Sequence, residues 1–237
     1  MHPRLSKALS ESLGSFCIVF FGAGTAACLT CAGVPWFATH ALTAVSFGVV
    51  VALMIKLFGD QSGAHLNPAV TIGFLIAQRL SFRDAIAYIV GQCVGAIVAA
   101  ITIERVLSFH EGVTSEALQA SMTRPTVPQS VAFGLETLLT LILMFVILRV
   151  STGSKERGTG AALAVGATVF LCAAAFGPIT GASMNPARSL GPAVALWIRH
   201  DLWIYVTAPV LGAIAAVPLC RVLSMGAEEP TDDPTEE

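Results

Sequence analysis

The chain has 237 residues, a formal net charge of −2, 55% hydrophobic residues and only 12% charged ones. A soluble domain carries about 25% charged residues, so this composition, with a mean hydropathy of +0.77, excludes an ordinary soluble protein and reads as an all-α membrane protein of several spans. The near-neutral charge and the lack of a basic cluster argue against a nucleic-acid partner.

In chain order, residues 12–55 contain no Asp, Glu, Lys or Arg. That is twice the roughly 20 residues one helix needs to cross a bilayer. Gly33 and Pro35 mark the break and predict helices near 6–29 and 39–59. Arg4 and Lys7 precede the first helix without a small-residue cleavage pattern, so it reads as a retained span, not a signal peptide. Further spans are expected at 85–103, 129–149, 159–177 and 202–220. A polar loop with Pro125 and Pro128 is expected over 104–128, and an acidic, disordered tail after Gly226, at 227–237.

Two apolar pieces, about 68–78 and 186–197, are too short to span. Each begins at an Asn-Pro-Ala: Asn67, Pro68, Ala69 and Asn185, Pro186, Ala187. These are the only two asparagines in the chain. Aligning 62–74 with 180–192 also pairs Gly63 with Gly181, Ala64 with Ala182 and Gly73 with Gly191. Asparagine is a favoured helix N-cap, and proline suits the first helical position because its missing N–H goes unused there. Non-helical backbone at membrane depth survives only against protein or a water-filled cavity, so both pieces are predicted to be re-entrant half-helices.

The order is three spans with one half-helix inserted, then the same again, over about 5–108 and 129–223 of a channel domain at 1–226. An odd number of spans inverts the second repeat, and inverted repeats with short broken helices point to a pathway at the midplane. With the amino terminus cytoplasmic, Arg4, Lys7, Arg79, Arg83, Arg149, Lys155, Arg157 and Arg221 face inside and only Arg105, Arg124 and Arg199 outside. The basic-inside tendency favours that orientation, with both termini cytoplasmic.

Glu11 and Glu136 lie deep in the first span of each repeat. Intramembrane carboxylates are costly and suggest function. One reading is proton coupling in a transporter; the other is structural, each carboxylate accepting N–H groups from the irregular segment before its half-helix. Duplication favours the second. The six cysteines sit mostly in apolar runs, so no disulfide framework is expected. Cys28-Leu-Thr-Cys31 lacks a second pair or neighbouring histidines in sequence and reads as packing, not a metal site. The histidines His2, His40, His110 and His200 fall at termini, helix ends or loops, and no catalytic constellation or cofactor site is recognisable.

Two Asn-Pro-Ala motifs on inverted half-helices, Arg188 directly after the second, and Glu11 and Glu136 ahead of them resemble the aquaporin, or major intrinsic protein, family over nearly the whole chain up to about Leu223. The resemblance implies a passive channel that excludes protons and ions, assembled as a homotetramer in lipid, in a plasma or bacterial inner membrane. By family position the pore carbonyls are Gly63, Ala64, His65, Gly181, Ala182 and Ser183, although His65 reads equally well as a bracket for its loop. The outer filter falls on Phe47, Ala173, Ala182 and Arg188; Phe47 has the alternative reading of a core aromatic. Water-selective members carry histidine at the Ala173 position, and glycerol facilitators carry aspartate where this chain has Ser189. The GASMNPARSLGPA tract is most similar to the nodulin-like intrinsic proteins of plants and their bacterial relatives, which implies water, glycerol and undissociated metalloid acids as permeants. A mainly water-selective pore and a proton-coupled transporter using Glu11 and Glu136 are the alternatives.

Overall fold

A computed structural model describes residues 3–110, 113–151 and 159–225. The expectations for the 227–237 tail and for His2, Lys155 and Arg157 lie outside those residues. Among the described residues six helices are long and apolar enough to cross a membrane: Pro3–Cys31, Trp36–Ser62, Phe82–Ser108, Gln129–Val150, Thr159–Thr180 and Leu202–Leu223, the last running on to Met225. Their shortest, at 22 residues, spans about 33 Å at 1.5 Å per residue, enough for a hydrocarbon core of about 30 Å. Large apolar side chains such as Leu42, Val49, Leu53, Val94, Leu163 and Leu171 are exposed on their outer faces. Water would penalise such a surface; lipid does not. The molecule is an all-α, multi-pass membrane protein.

The spans run further than their apolar stretches. The second continues through Asp60, Gln61 and Ser62, and the third takes in Glu104 and Arg105, which the sequence reading assigned to a loop. Polarity does not end a helix whose backbone bonds continue. The 104–128 segment is correspondingly shorter and carries a helical turn, Ser115–Gln119, capped by the Thr114 hydroxyl. Within the first span, Ile18–Ala23 forms a wider π-type turn. The Phe21 carbonyl in it accepts the Thr25 and Ser46 hydroxyls.

The two half-helices are Pro68–Ile76 and Pro186–Ala195, about 14 Å each. Both end slightly earlier than the sequence suggests, for the same reason in both. Gln78 (φ 61°) and Trp197 (φ 57°) turn left-handed, and Arg79 N–H and Ile198 N–H reach back to the Phe74 and Ala193 carbonyls, the Schellman pattern of a helix end.

Small residues hold the spans together. A Cβ on Gly95 would strike the Ser12 carbonyl, and one on Gly212 the Thr137 carbonyl. These contacts are equivalent in the two repeats, joining first span to third beside Glu11 and Glu136. Gly48 and Gly166 press on one another in the same way: a Cβ on either would stand within 3.0 Å of the other's carbonyl oxygen, at 2.9 and 2.6 Å. Close backbone approach of this kind is how helices associate where lipid removes the hydrophobic drive. The half-helices cross between repeats: Gly191 abuts the Ala96 carbonyl of the third span, and Gly73 abuts Met144 of the fourth.

Candidate functional site

A cavity of about 740 Å³ passes through the bundle. Along the second span it is lined by Trp36, His40, Phe47, Val51 and Ile55, and along the fifth by Ala161, Val165, Val169, Ala173 and Gly177. With Thr43 between His40 and Phe47, both sets recur every three or four residues, so each is one helix face. From Trp36 to Ile55 the cavity follows its helix for about 28 Å, close to the thickness of a bilayer core. The wall opposite these apolar stripes is polar backbone, Gly63–Asn67 and Gly181–Asn185.

The two backbone segments are built alike. Gly63 (φ 85°) and Gly181 (φ 86°) take the left-handed conformation open to glycine. Ala64 (φ 47°), Leu66 (φ 53°), Ala182 (φ 39°) and Met184 (φ 53°) adopt it with side chains present, each costing on the order of 1–3 kcal/mol. Buried carboxylates hold them there. Glu11, 0% exposed, accepts His65 N–H (3.0 Å) and the Ser62 hydroxyl (2.6 Å) on Oε1, and Leu66 N–H (2.6 Å) and Gln92 Nε2 (2.7 Å) on Oε2. Glu136, also 0% exposed, accepts Ser183 N–H (2.9 Å) and the Thr180 hydroxyl (2.7 Å) on Oε1, and Met184 N–H (2.9 Å) on Oε2. The Ser62 and Thr180 hydroxyls also accept Ala64 and Ala182 N–H, both at 3.1 Å. With the N–H groups drawn to the carboxylates, the carbonyls of Gly63, Ala64, His65, Gly181, Ala182 and Ser183 take no partner among the described residues.

Tyr88 and Tyr205 complete the duplication by donating to the Ser62 and Thr180 carbonyls. They are the only two tyrosines of the chain. Like the two asparagines, they are marked in the sequence by scarcity alone, and they are functional residues that sequence reasoning missed. The His65 ring stacks on Phe74 (4.4 Å, 13°), and its Nδ1 lies 3.3 Å from the Thr71 hydroxyl. It therefore packs its loop and lines the cavity at once.

At the centre each asparagine caps its half-helix. Asn67 Oδ1 accepts Ala69 N–H (2.8 Å), and Asn185 Oδ1 accepts Ala187 N–H (3.0 Å) and Arg188 N–H (3.4 Å). The amide nitrogens cross between repeats: Asn67 Nδ2 donates to the Met184 carbonyl (2.7 Å) and Asn185 Nδ2 to the Leu66 carbonyl (2.9 Å). The two helix N-termini are thereby locked face to face. Each amide has two N–H bonds, so one on each is left for the cavity that both residues line. Half of each NH₂ group is thus structural.

Phe47, Ala173, Ala182 and Arg188 meet around the same cavity. The guanidinium carbon stands 4.9 Å from the Phe47 ring centroid, and Arg188 Nη1 donates to the Ser121 carbonyl at 2.9 Å. Stacking and a carbonyl tie fix a planar fork of donors that lysine could not reproduce. Ser189, buried, bonds the hydroxyls of Thr123 (2.9 Å) and Ser183 (2.6 Å). The segment after the third span thus clamps the second half-helix through Ser121 and Thr123, a contact no local pattern announced.

Elsewhere, His110 Nδ1 approaches Cys31 Sγ at 3.7 Å, so a histidine does stand near the Cys28–Cys31 pair. No group of three possible metal ligands occurs among the described residues, and their cysteines are free.

With this geometry in view, comparison with known proteins is decisive. The family model for major intrinsic proteins matches residues 2–219. The chain belongs to the major intrinsic protein family. It is 37% identical to aquaporin NIP1-2 of Arabidopsis thaliana over 220 residues, covering 90% of this chain and 72% of that one. It is 38% identical to nodulin-26 of Glycine max over 213 residues, covering 90% and 76%. The fold matches the X-ray structure of the aquaglyceroporin from Plasmodium falciparum with a TM-score of 0.81, covering 94% of this chain and all of the other at 24% identity. This is a membrane channel of the aquaporin fold, with six spans and two half-helices in inverted repeats.

Proposed function

We propose that the channel passes water and small neutral solutes wider than water, glycerol and undissociated metalloid acids among them, and excludes protons and ions. The observation that carries this reading is the pair Ala173 and Ala182, both small, facing Phe47 and Arg188 across one cavity. Where a large polar side chain would narrow the opening, methyl groups leave it wide and only Arg188 supplies donors. Phe47 offers an apolar face to the carbon side of a polyol.

Ion exclusion follows from the centre. Each half-helix N-terminus carries roughly half a positive charge, and two are held together by the reciprocal Asn67 and Asn185 bonds. That field, with the fixed charge of Arg188, repels cations. A permeating water accepts the free N–H of both asparagines, so its hydrogens point away along the pore and a proton wire is interrupted there. The six free carbonyls then pass it along as acceptors. Glu11 and Glu136 act structurally, holding those loops, and carry no transported proton; the family and its relatives are channels, and no catalytic role is assigned.

The channel domain is taken as 1–226 with repeats of about 5–108 and 129–223. Both termini are placed in the cytoplasm of a cell-surface membrane on the distribution of Lys and Arg, and a homotetramer is the proposed assembly.

The test is stopped-flow permeability of reconstituted vesicles to water, glycerol, urea and boric or arsenous acid, for the parent and Ala173→His. The parent is expected to pass all of them, and Ala173→His to reduce solute flux more than water flux. Vesicles that swell in a water gradient yet exclude every solute would sink the reading.

A further inference from the structure

Between the Trp36 end of the cavity and the filter stands a side chain that the channel reading leaves unused. His40 lies on the cavity face of the second span, seven residues before Phe47, or about 10 Å along the helix. Its ring crosses to the fifth span. Nε2 is 2.9 Å from the carbonyl oxygen of Ala174, next to the filter position Ala173. A carbonyl only accepts, so Nε2 carries a hydrogen and donates it. Trp36 stacks on the imidazole at 5.5 Å and 7°, holding it from the mouth side.

The fifth span makes room for it. Gly177, one turn beyond Ala173, faces the ring so closely that a Cβ there would stand 2.7 Å from His40 Cε1. Ala173 and Gly177 thus leave a notch in one wall, and an imidazole from the other wall fills part of it. Between His40 and Phe47, Thr43 lines the same cavity, with its hydroxyl oxygen turned in and buried.

We infer that His40 forms a second constriction, two turns from the filter, that sets the upper size of the small neutral polyhydroxylated solutes the channel admits. The inference rests on reading Phe47, Ala173, Ala182 and Arg188 as the filter, and places a size limit ahead of it. Removing the ring should admit four- and five-carbon polyols.

The experiment compares water, glycerol, erythritol and xylitol permeabilities of vesicles containing the parent, His40→Ala, His40→Phe, Gly177→Ala and Ala173→His, scaled to incorporated protein. His40→Ala is expected to raise the erythritol-to-water ratio about fivefold or more, the rate equivalent of removing a barrier of about 1 kcal/mol. His40→Phe keeps the bulk but loses the tie to Ala174, and should still exclude erythritol. Gly177→Ala should push the ring into the lumen and lower glycerol flux, and adding His40→Ala should reverse that loss. An erythritol-to-water ratio within about twofold of the parent in His40→Ala, or His40→Phe behaving like His40→Ala, overturns the inference. The Ala173→His arm reports on the filter separately: unchanged solute selectivity there, with a raised ratio in His40→Ala, would reject the filter reading and keep the His40 constriction.

Discussion

Replacing Glu136 by glutamine converts one carboxylate oxygen into an NH₂ donor, and the structure says what that oxygen faces. Among the described residues Oε1 holds two donors, Ser183 N–H and the Thr180 hydroxyl, whereas Oε2 holds one, Met184 N–H. The glutamine can keep its oxygen on the first pair and strand a single buried N–H. Glu11→Gln has no such choice, because each oxygen of Glu11 holds two donors. Either orientation displaces two, and the milder one strands His65 N–H and turns the Ser62 hydroxyl to the Phe58 carbonyl at 3.5 Å. A stranded buried donor costs about 1–3 kcal/mol and a lost hydrogen bond about 1, so the losses are about 2 kcal/mol for Glu136→Gln and about 3 for Glu11→Gln, each partly offset by relief of a buried charge. At about 2–4 °C per kcal/mol for a chain of this size, thermal unfolding in detergent should fall in the order parent, Glu136→Gln, Glu11→Gln. Folded protein of either variant should still conduct solutes down their gradients with no dependence on an imposed pH gradient. The reverse order of stability would refute the donor counting. Abolished pH-driven uptake by a stable Glu136→Gln protein would instead make the carboxylate a coupling site.

Gly212→Ala places a methyl against the Thr137 carbonyl and should cost about 1–3 kcal/mol as an overpacked contact, read as a lower unfolding temperature, with Gly95→Ala matching it at the equivalent crossing. Arg188→Lys keeps the charge but loses the fork over Phe47 and the tie to Ser121; vesicle assays should show weaker discrimination among neutral solutes, by about tenfold if one hydrogen bond to a charged group is lost, with cations still excluded.

Much of this architecture was legible because its signals are local. An asparagine that caps, a proline at the next position and an apolar run too short to span are written within ten residues, and their recurrence exposes the repeat. Chain order then supplies the inversion, since an odd number of spans must reverse the second copy. The carboxylates stood out because an acidic residue in an apolar helix has no cheap explanation. Tyr88 and Tyr205 were visible by the same logic of scarcity and were passed over.

Other parts of the site have no local signature. His40 looks like a histidine near a helix end until helix crossing brings it to Ala174, 134 residues away. Ser121 and Thr123 sit in a polar loop, and only the fold sets their groups on Arg188 and Ser189, 67 and 66 residues on. The reciprocal bonds of Asn67 and Asn185 span 117 and 119 residues, and they commit an N–H that the motif alone left free. Capping, periodicity and composition act between neighbours in the chain, so the residues themselves declare six spans, two half-helices and their repeat. Which side chains share the pore depends on where helices meet, and that is decided by glycine-lined crossings such as Gly95 on Ser12 and Gly212 on Thr137, which exist only once the whole bundle has formed.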